Sequence, residues 1–267
     1  MATYLDRILA RHREAAGADR RPVGQLVEAA LDAPAPRGFA AAISDRAGDG
    51  VAVVAEIKRR SPSRGALDEG LDPARAARDY ESGGAACLSV LTDGEFFGGS
   101  PEDLRAARAG CSLPVLRKDF TVSEQDVADT RIMGADAVLL IAAALSDGEL
   151  AAFHGLARRL GLDALVEVHD EAEVDRALAA GATLVGVNQR DLYSFEVDRE
   201  RAGRLRPRIP PGVVAVAESG IASPEDAARL AGAGYDAVLV GEWLVRSGDR
   251  ASAVASLRSV PSPSSCL

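Results

Sequence analysis

Eight short apolar runs recur along the chain: Val51–Lys58, Ala85–Leu91, Leu113–Asp119, Asp136–Ala142, Asp163–His169, Thr183–Asn188, Val213–Glu218 and Asp236–Gly241. Between them, apolar positions follow a helical spacing. The starts of the runs lie 20 to 34 residues apart, which is room for one strand, one helix and two short loops. The helices carry readable boundaries. Ser100-Pro101-Glu102-Asp103 and Ser223-Pro224-Glu225-Asp226 each supply a capping serine, a proline at the first helical position and acids in the first turn. Asp72-Pro73 starts another helix in the same way. Gly134, Gly181 and Gly234 each stand just before an apolar run, where a left-handed glycine ends one helix and releases the next strand. Eight such units predict an α/β fold, a (β/α)8 TIM barrel. A doubly wound open sheet is the competing architecture. It is disfavoured because no Gly-x-Gly-x-x-Gly follows the first strand, and Gly98-Gly99 does not fit that fingerprint.

The pattern divides the chain into three parts. Residues 1–50 form a helical extension of two or three helices packed on the barrel, with apolar spacing such as Tyr4, Leu5, Ile8 and Leu9 and a break at the proline-bearing Asp32–Arg37 segment. Residues 51–258 form the barrel. Residues 259–267 form a Ser/Pro-rich tail that is expected to be disordered. The longest apolar run, Ala137 to Leu145, is too short for a bilayer. Asp6, Arg11, Arg13 and Glu14 interrupt any apolar core of a signal peptide.

Strand parity locates the chemistry. Side chains two residues apart share a face, and in such barrels reacting groups sit at the C-terminal strand ends. Each informative strand is apolar until its last turn and then offers a polar group. These groups are Glu56 and Lys58, Lys118, Glu167, Asn188 and Arg190, and Glu218. Facing inward, they form a polar ring over an apolar barrel; facing outward, they are ordinary solvated loop starts. After the last two strands, Glu218-Ser219-Gly220 and Gly241-Glu242 let backbone N–H groups approach an anion, the usual place for phosphate in this fold. A short helix is expected at Trp243–Arg246. His169 reads as a loop residue, and His12 and His154 fall in predicted helices without a chemical signal.

Composition sharpens this picture at three points. The 31 basic residues comprise 29 arginines and only two lysines, Lys58 and Lys118, and both lysines stand at predicted inward strand ends beside an arginine. Arginine holds its proton near neutrality, whereas lysine can transfer one once its site lowers its pKa. The formal charge of -9 argues against nucleic acid, which needs clustered positive charge. Cys87, Cys111 and Cys266 have no metal-ligand spacing and leave an odd one in any pairing, so a reduced, cytoplasmic protein is expected.

Several stretches resemble the indole-3-glycerol phosphate synthase family of tryptophan biosynthesis. They are Ala55-Glu56-Ile57-Lys58-Arg59-Arg60-Ser61-Pro62-Ser63-Arg64-Gly65, Leu113-Pro114-Val115-Leu116-Arg117-Lys118-Asp119-Phe120, Leu165-Val166-Glu167-Val168-His169, Val187-Asn188-Gln189-Arg190-Asp191-Leu192 and Ala217-Glu218-Ser219-Gly220-Ile221. Leu91-Thr92-Asp93 and Phe97-Gly98-Gly99-Ser100 fit as well, so the likeness covers essentially the whole chain.

The resemblance implies ring closure of 1-(2-carboxyphenylamino)-1-deoxy-D-ribulose 5-phosphate to indole-3-glycerol phosphate, with loss of CO2 and water. Lys118 matches the general acid of ring closure. Glu167 and Lys58 match the dehydration pair, in either order of base and acid. Glu56 would pair with and tune the lysines, while Asn188 and Glu218 would orient hydroxyls or charges. Arg190, Lys58 and Ser61 would hold anionic groups. Phe97, Phe120, Leu139 and Leu192 match the apolar slot for the aromatic ring. Ser219, Gly220, Gly241 and Glu242 match the phosphate loops. At Glu242 the family also uses small residues such as serine, so a backbone contact survives there but a hydroxyl contact does not. The resemblance also implies an N-terminal extension covering the barrel mouth and no metal or organic cofactor. The expected partner is a small phosphorylated substrate, with no nucleic acid or membrane. The expected assembly is a monomer, at most in weak contact with other tryptophan-pathway enzymes. No fused phosphoribosylanthranilate isomerase domain is expected. Another phosphate-binding isomerase or epimerase barrel, and an inactive barrel sensing a phosphorylated metabolite, are the competing readings. The first tends to use Asp/Cys pairs or metal ligands instead of a Lys/Glu set. The second is disfavoured by the presence of Lys118 and Glu167.

Overall fold

A computed structural model of the chain describes residues 3–47, 50–61 and 65–258. Eight parallel strands close a barrel: β1 (Ala52–Ile57), β2 (Cys87–Leu91), β3 (Val115–Lys118), β4 (Ala137–Ile141), β5 (Asp163–Val168), β6 (Leu184–Asn188), β7 (Val214–Glu218) and β8 (Ala237–Val240). Sequential strands are neighbours, and β8 closes onto β1 with Ala52 opposite Ala237. Each expected strand is present, most of them trimmed at the ends where the backbone turns into loops. A helix follows every strand, from Pro73–Ser82 after β1 to Arg250–Arg258 after β8.

The expected punctuation is in place. The hydroxyls of Ser100 and Ser223 accept the backbone N–H of Asp103 and Asp226, and the Asp72 carboxylate accepts those of Ala74 and Arg75. Gly134, Gly181 and Gly234 have φ of 90°, 86° and 92°, a conformation that lets each helix turn sharply into the following strand. A short antiparallel ribbon pairing Arg60–Ser61 with Gly65–Ala66 follows β1. Its two-residue strands are too short to imprint an alternating pattern on the sequence. Pro62–Arg64, within the β1-loop motif, and the 259–267 tail lie outside the described residues.

The core has two layers. Apolar faces of the strands and helices pack between barrel and outer ring, and a second cluster including Val54, Leu116, Leu139, Leu165 and Leu239 fills the barrel itself. The extension divides its work among three helices: α1 (Tyr4–Ala18), α2 (Val23–Asp32) and α3 (Phe39–Ala47). Only α1 lies at the C-terminal mouth, with Tyr4 edge-on to Phe96 and Phe195 at 5.7 and 5.0 Å. α2 packs on the outer helix Glu124–Ile132. α3 seals the opposite end, burying Phe39 and Ile43 completely against the barrel interior. Mouth coverage, implied for the extension as a whole, is thus the task of its first helix. Among the described residues, no helix is long and apolar enough to cross a membrane. Cys87 and Cys111 are unbridged.

Candidate active site

The residues proposed from parity and resemblance line one cavity of about 460 Å³ at the C-terminal mouth. Glu56, Lys58, Lys118, Glu167, Asn188 and Glu218 form its polar floor, and Ser61, Phe97, Phe120, Leu139, Arg190, Leu192, Ser219, Gly220, Gly241 and Glu242 contribute to its walls. Barrel register explains the convergence. Glu167 stands beside Gly186 on the neighbouring strand, and Glu218 stands beside Asn188 on one side and Leu239 on the other. Inward side chains of adjacent strands therefore meet over Leu165 and Leu239, which fill the barrel below.

Lys118 is the hub. Its Nζ donates to Glu167 Oε2 at 2.5 Å and to Glu218 Oε2 at 2.7 Å. Asn188 Nδ2 donates to the other Glu167 oxygen at 3.1 Å, and Asn188 Oδ1 accepts the backbone N–H of Arg190. Lys58 pairs with Glu56 at 2.5 Å, and Ser89 Oγ reaches the second Glu56 oxygen at 3.5 Å. Glu56, Glu167 and Glu218 are each less than 5 % exposed, so these are buried charges whose state is set by their neighbours.

Electrostatics separates the three groups around Lys118. Burial alone would favour a neutral amine, but the carboxylates of Glu167, Glu218 and Glu56 outweigh it and raise the Lys118 pKa. The shift is opposite in sign to the lowered value expected of a transferable lysine proton. The number of carboxylates facing the amine is a tertiary property, hidden from strand parity. Burial raises the Glu167 carboxyl, yet Lys118 and His169 pull it down to about 2. Burial dominates at Glu218, where the Lys118 charge is already shared and Glu167 repels, and its pKa is pushed up to about 7. Glu218 Oε1 is buried without a hydrogen-bond partner, the geometric counterpart of that rise. One carboxylate is thus held ionised and the other is poised to exchange a proton near neutrality.

The β7 and β8 loops have the shape of an anion cradle. Ser219 and Gly220 both adopt positive φ, 65° and 73°, and the Ser219 carbonyl is fixed by Gln189 Nε2 at 2.7 Å. A Cβ at Gly241 would collide with the Glu56 carboxylate, so only glycine lets this backbone approach the cluster. The short helix after β8 spans Glu242–Arg246, one residue longer than expected. Arg199 and Arg246 join Lys58 and Arg190 on the cavity wall. Sequence reasoning missed both, because loop arginines are common in this chain and carry no periodic signal.

Opposite the cradle, Phe97 and Phe120 face each other with ring centroids 6.3 Å apart, and Leu139, Ile141 and Leu192 continue the apolar wall. Two further features were unmarked in the sequence. Gly186 has no side chain where a Cβ would overlap the Glu218 carboxylate and press on Leu165, so it makes room for the cluster from within β6. His12 of α1 lies 2.9 Å from Asp93, whose other oxygen caps the helix carrying Phe97 through the N–H groups of Phe96 and Phe97. Asp119, 3.9 Å from His12, is taken up by Arg117 and Thr92. These donors already satisfy the His12–Asp93–Asp119 group, which ties α1 to the mouth. His169, expected as a loop residue, does follow β5, but its ring is largely covered and its Nε2 is buried beside Glu167.

A closed (β/α)8 scaffold with ionisable groups gathered at its C-terminal mouth defines a barrel enzyme. The family model of indole-3-glycerol phosphate synthase matches residues 5–257, and the chain belongs to that family, carboxy-lyases of tryptophan biosynthesis. It is 52% identical over 237 residues to indole-3-glycerol phosphate synthase 2 of Streptomyces coelicolor, covering 89% of this chain and 91% of that protein. It is 49% identical over 267 residues to indole-3-glycerol phosphate synthase of Mycolicibacterium vanbaalenii, covering 99% and 97% respectively. Among solved structures, thiamine phosphate pyrophosphorylase from Pyrococcus furiosus shares the fold, with a TM-score of 0.59, 16% identity and coverage of 79% of this chain and 95% of that one.

Proposed function

We propose that this chain converts 1-(2-carboxyphenylamino)-1-deoxy-D-ribulose 5-phosphate to indole-3-glycerol phosphate, CO2 and water by lysine–glutamate acid–base catalysis. The observation that carries this reading is Lys118 Nζ, gripped by Glu167 and Glu218 beside the Phe97–Phe120 slot. The aromatic ring occupies the slot, and the Ser219–Gly220 and Gly241 backbone holds the phosphate with help from the surrounding arginines. Ser61 and Glu242 border the two ends of the substrate, and Lys58 and Arg190 steady its anionic groups.

The ring carbon that carries the carboxylate attacks the ribulose carbonyl carbon. As the new C–C bond forms, the carbonyl π electrons move to oxygen, which takes a proton from Lys118. A raised lysine pKa does not block this step, because the developing alkoxide is more basic than an amine, and the held charge stabilises the oxyanion as it forms. The carboxylate then leaves as CO2, and its bonding electrons restore the aromatic ring. The apolar wall of Leu139 and Ile141 favours this loss, because it solvates a carboxylate poorly and CO2 well. In the last step, a base removes the proton from the carbon beside nitrogen, an acid protonates the departing hydroxyl, and water leaves to give the indole double bond. Glu167, ionised and adjacent, serves as the base, and Lys58 as the acid. Asn188 orients Glu167, Glu56 holds Lys58, and Glu218 takes and returns a proton beside Lys118.

The side chains contribute proton transfers and charge stabilisation, and no step is assigned to a cofactor. All the groups come from one chain, consistent with a monomer, and the unbridged Cys87 and Cys111 suit a reducing cytoplasm. The test is to supply the carboxyphenylamino-deoxyribulose phosphate and follow indole fluorescence together with CO2 release. Equal amounts of the two products are expected. Binding without either product would favour a metabolite-sensing barrel.

A further inference from the structure

Glu167 is served from two sides, and only one of them belongs to the cavity. Lys118 and Asn188 reach it from the lined interior, whereas His169 approaches from behind, off the cavity wall. His169 Nε2 lies 3.5 Å from Glu167 Oε1 and is buried with no hydrogen-bond partner of its own. The other ring nitrogen, Nδ1, is 3.1 Å from Glu173 Oε2, which also accepts the His169 backbone N–H at 2.7 Å. Glu173 lies in the first turn of the helix Glu171–Ala179, so the imidazole is fixed by the helix that follows β5. The ring stands between two carboxylates.

We infer that His169 is a positioning residue for the reaction, bridging Glu173 to Glu167 as an imidazolium and keeping Glu167 in its ionised, base-competent state. This inference rests on the proposed role of Glu167. A neutral imidazole has one N–H and can donate to only one of the two carboxylates, while the imidazolium can donate to both. The role gains weight during turnover. When Lys118 gives its proton to the substrate oxygen, Glu167 loses its nearest cation, and the imidazolium remains beside it.

The charged groups facing the ring are Glu167 on β5, Glu173 on the next helix and Arg201 on the helix Arg201–Leu205. Burial and Arg201 oppose the protonated ring, but the two glutamates prevail, and the His169 pKa lies above its ordinary 6.5. The expected kcat therefore falls on the alkaline side, as pH rises through that raised value.

The decisive experiment pairs ring titration with kinetics. The chain has three histidines, which makes the His169 ring signals assignable by NMR in the intact protein. His169 is expected to titrate above 6.5, and Glu173→Gln is expected to lower that titration and carry the alkaline limb of kcat with it. His169→Gln should abolish the limb and reduce kcat roughly tenfold with KM little changed, because the ring does not line the cavity. Should His169→Gln fail to fold, the wild-type titration and the Glu173→Gln profile decide alone. A His169 titration at or below 6.5, or an alkaline limb unmoved in Glu173→Gln, overturns the inference. Wild-type turnover by Glu167→Gln would instead overturn the role of Glu167, which the substrate-free ring titration does not address.

Discussion

At both ends of the barrel, carboxylates stand at strand termini, but they keep different company. At the N-terminal end, Asp136 accepts the backbone N–H groups of Arg37 and Val115, each at 2.7 Å, and pairs with Arg108. Asp163 accepts the Ala40 N–H at 2.9 Å, and Asp236 that of Ala215 at 2.8 Å. These acids join strands to one another and to the extension, with donors fixed in the backbone. At the C-terminal end, Glu167 and Glu218 compete for a single lysine, and one Glu218 oxygen has no partner. Satisfied carboxylates hold a fold together. Carboxylates that are close, buried and short of donors can change protonation state, which acid–base chemistry requires.

Exchanging the outcomes of the two ends would break this comparison. The largest stability effect is expected from Asp136→Ala, which leaves Arg108, the buried N–H of Val115 and the partly buried N–H of Arg37 without their acceptor. A loss of about 3–4 kcal/mol in urea unfolding is expected, with kcat of the folded fraction unchanged. A loss below about 0.5 kcal/mol, within the usual range of a neutral surface change, would deny Asp136 its structural role. Next comes Gly186→Ala, where the new methyl displaces Glu218. Turnover should fall roughly 100-fold, the order produced by misplacing a reacting group by an ångström, with a smaller effect on stability. Wild-type kcat in that variant would show that Glu218 need not hold its observed position.

The smallest expected effect concerns Glu218→Gln and carries a definite sign. In the folded chain the Glu218 carboxyl titrates at about 7, against an ordinary 4.5. Between these values the folded state holds a proton that the unfolded state has released, so stability falls as pH rises across that window. Glutamine removes the slope. The variant should match wild type below pH 4.5 and be the more stable of the two at pH 8, while losing activity. Equal stability of the two proteins at pH 8 would place Glu218 among the satisfied acids.

The two ends also differ in how well the sequence reveals them. Strand count, helix caps and the inward parity of Lys118, Glu167 and Glu218 are written in local patterns, since a period of two and a capping serine act within a few residues. The direction of the Lys118 pKa is not local, because it depends on how many glutamates from other strands face one amine. Gly186 is silent for a related reason: a missing side chain gives no sign of the carboxylate that fills its space. His12 and His169 sit in ordinary helix and loop contexts, and only packing brings them to Asp93 and Glu167. The split of the extension between mouth, flank and barrel floor likewise depends on docking, which apolar spacing cannot specify.

The account turns on Lys118 as the proton donor of ring closure, and one comparison reads it directly. Lys118→Ala, assayed by indole fluorescence beside wild type and with substrate binding measured by calorimetry, is expected to bind the carboxyphenylamino-deoxyribulose phosphate while losing at least about 1000-fold in kcat. The variant should keep the fold at reduced stability, because Glu167 and Glu218, left without the ammonium, can take up protons in its place. Turnover within tenfold of wild type by a folded Lys118→Ala would contradict the account.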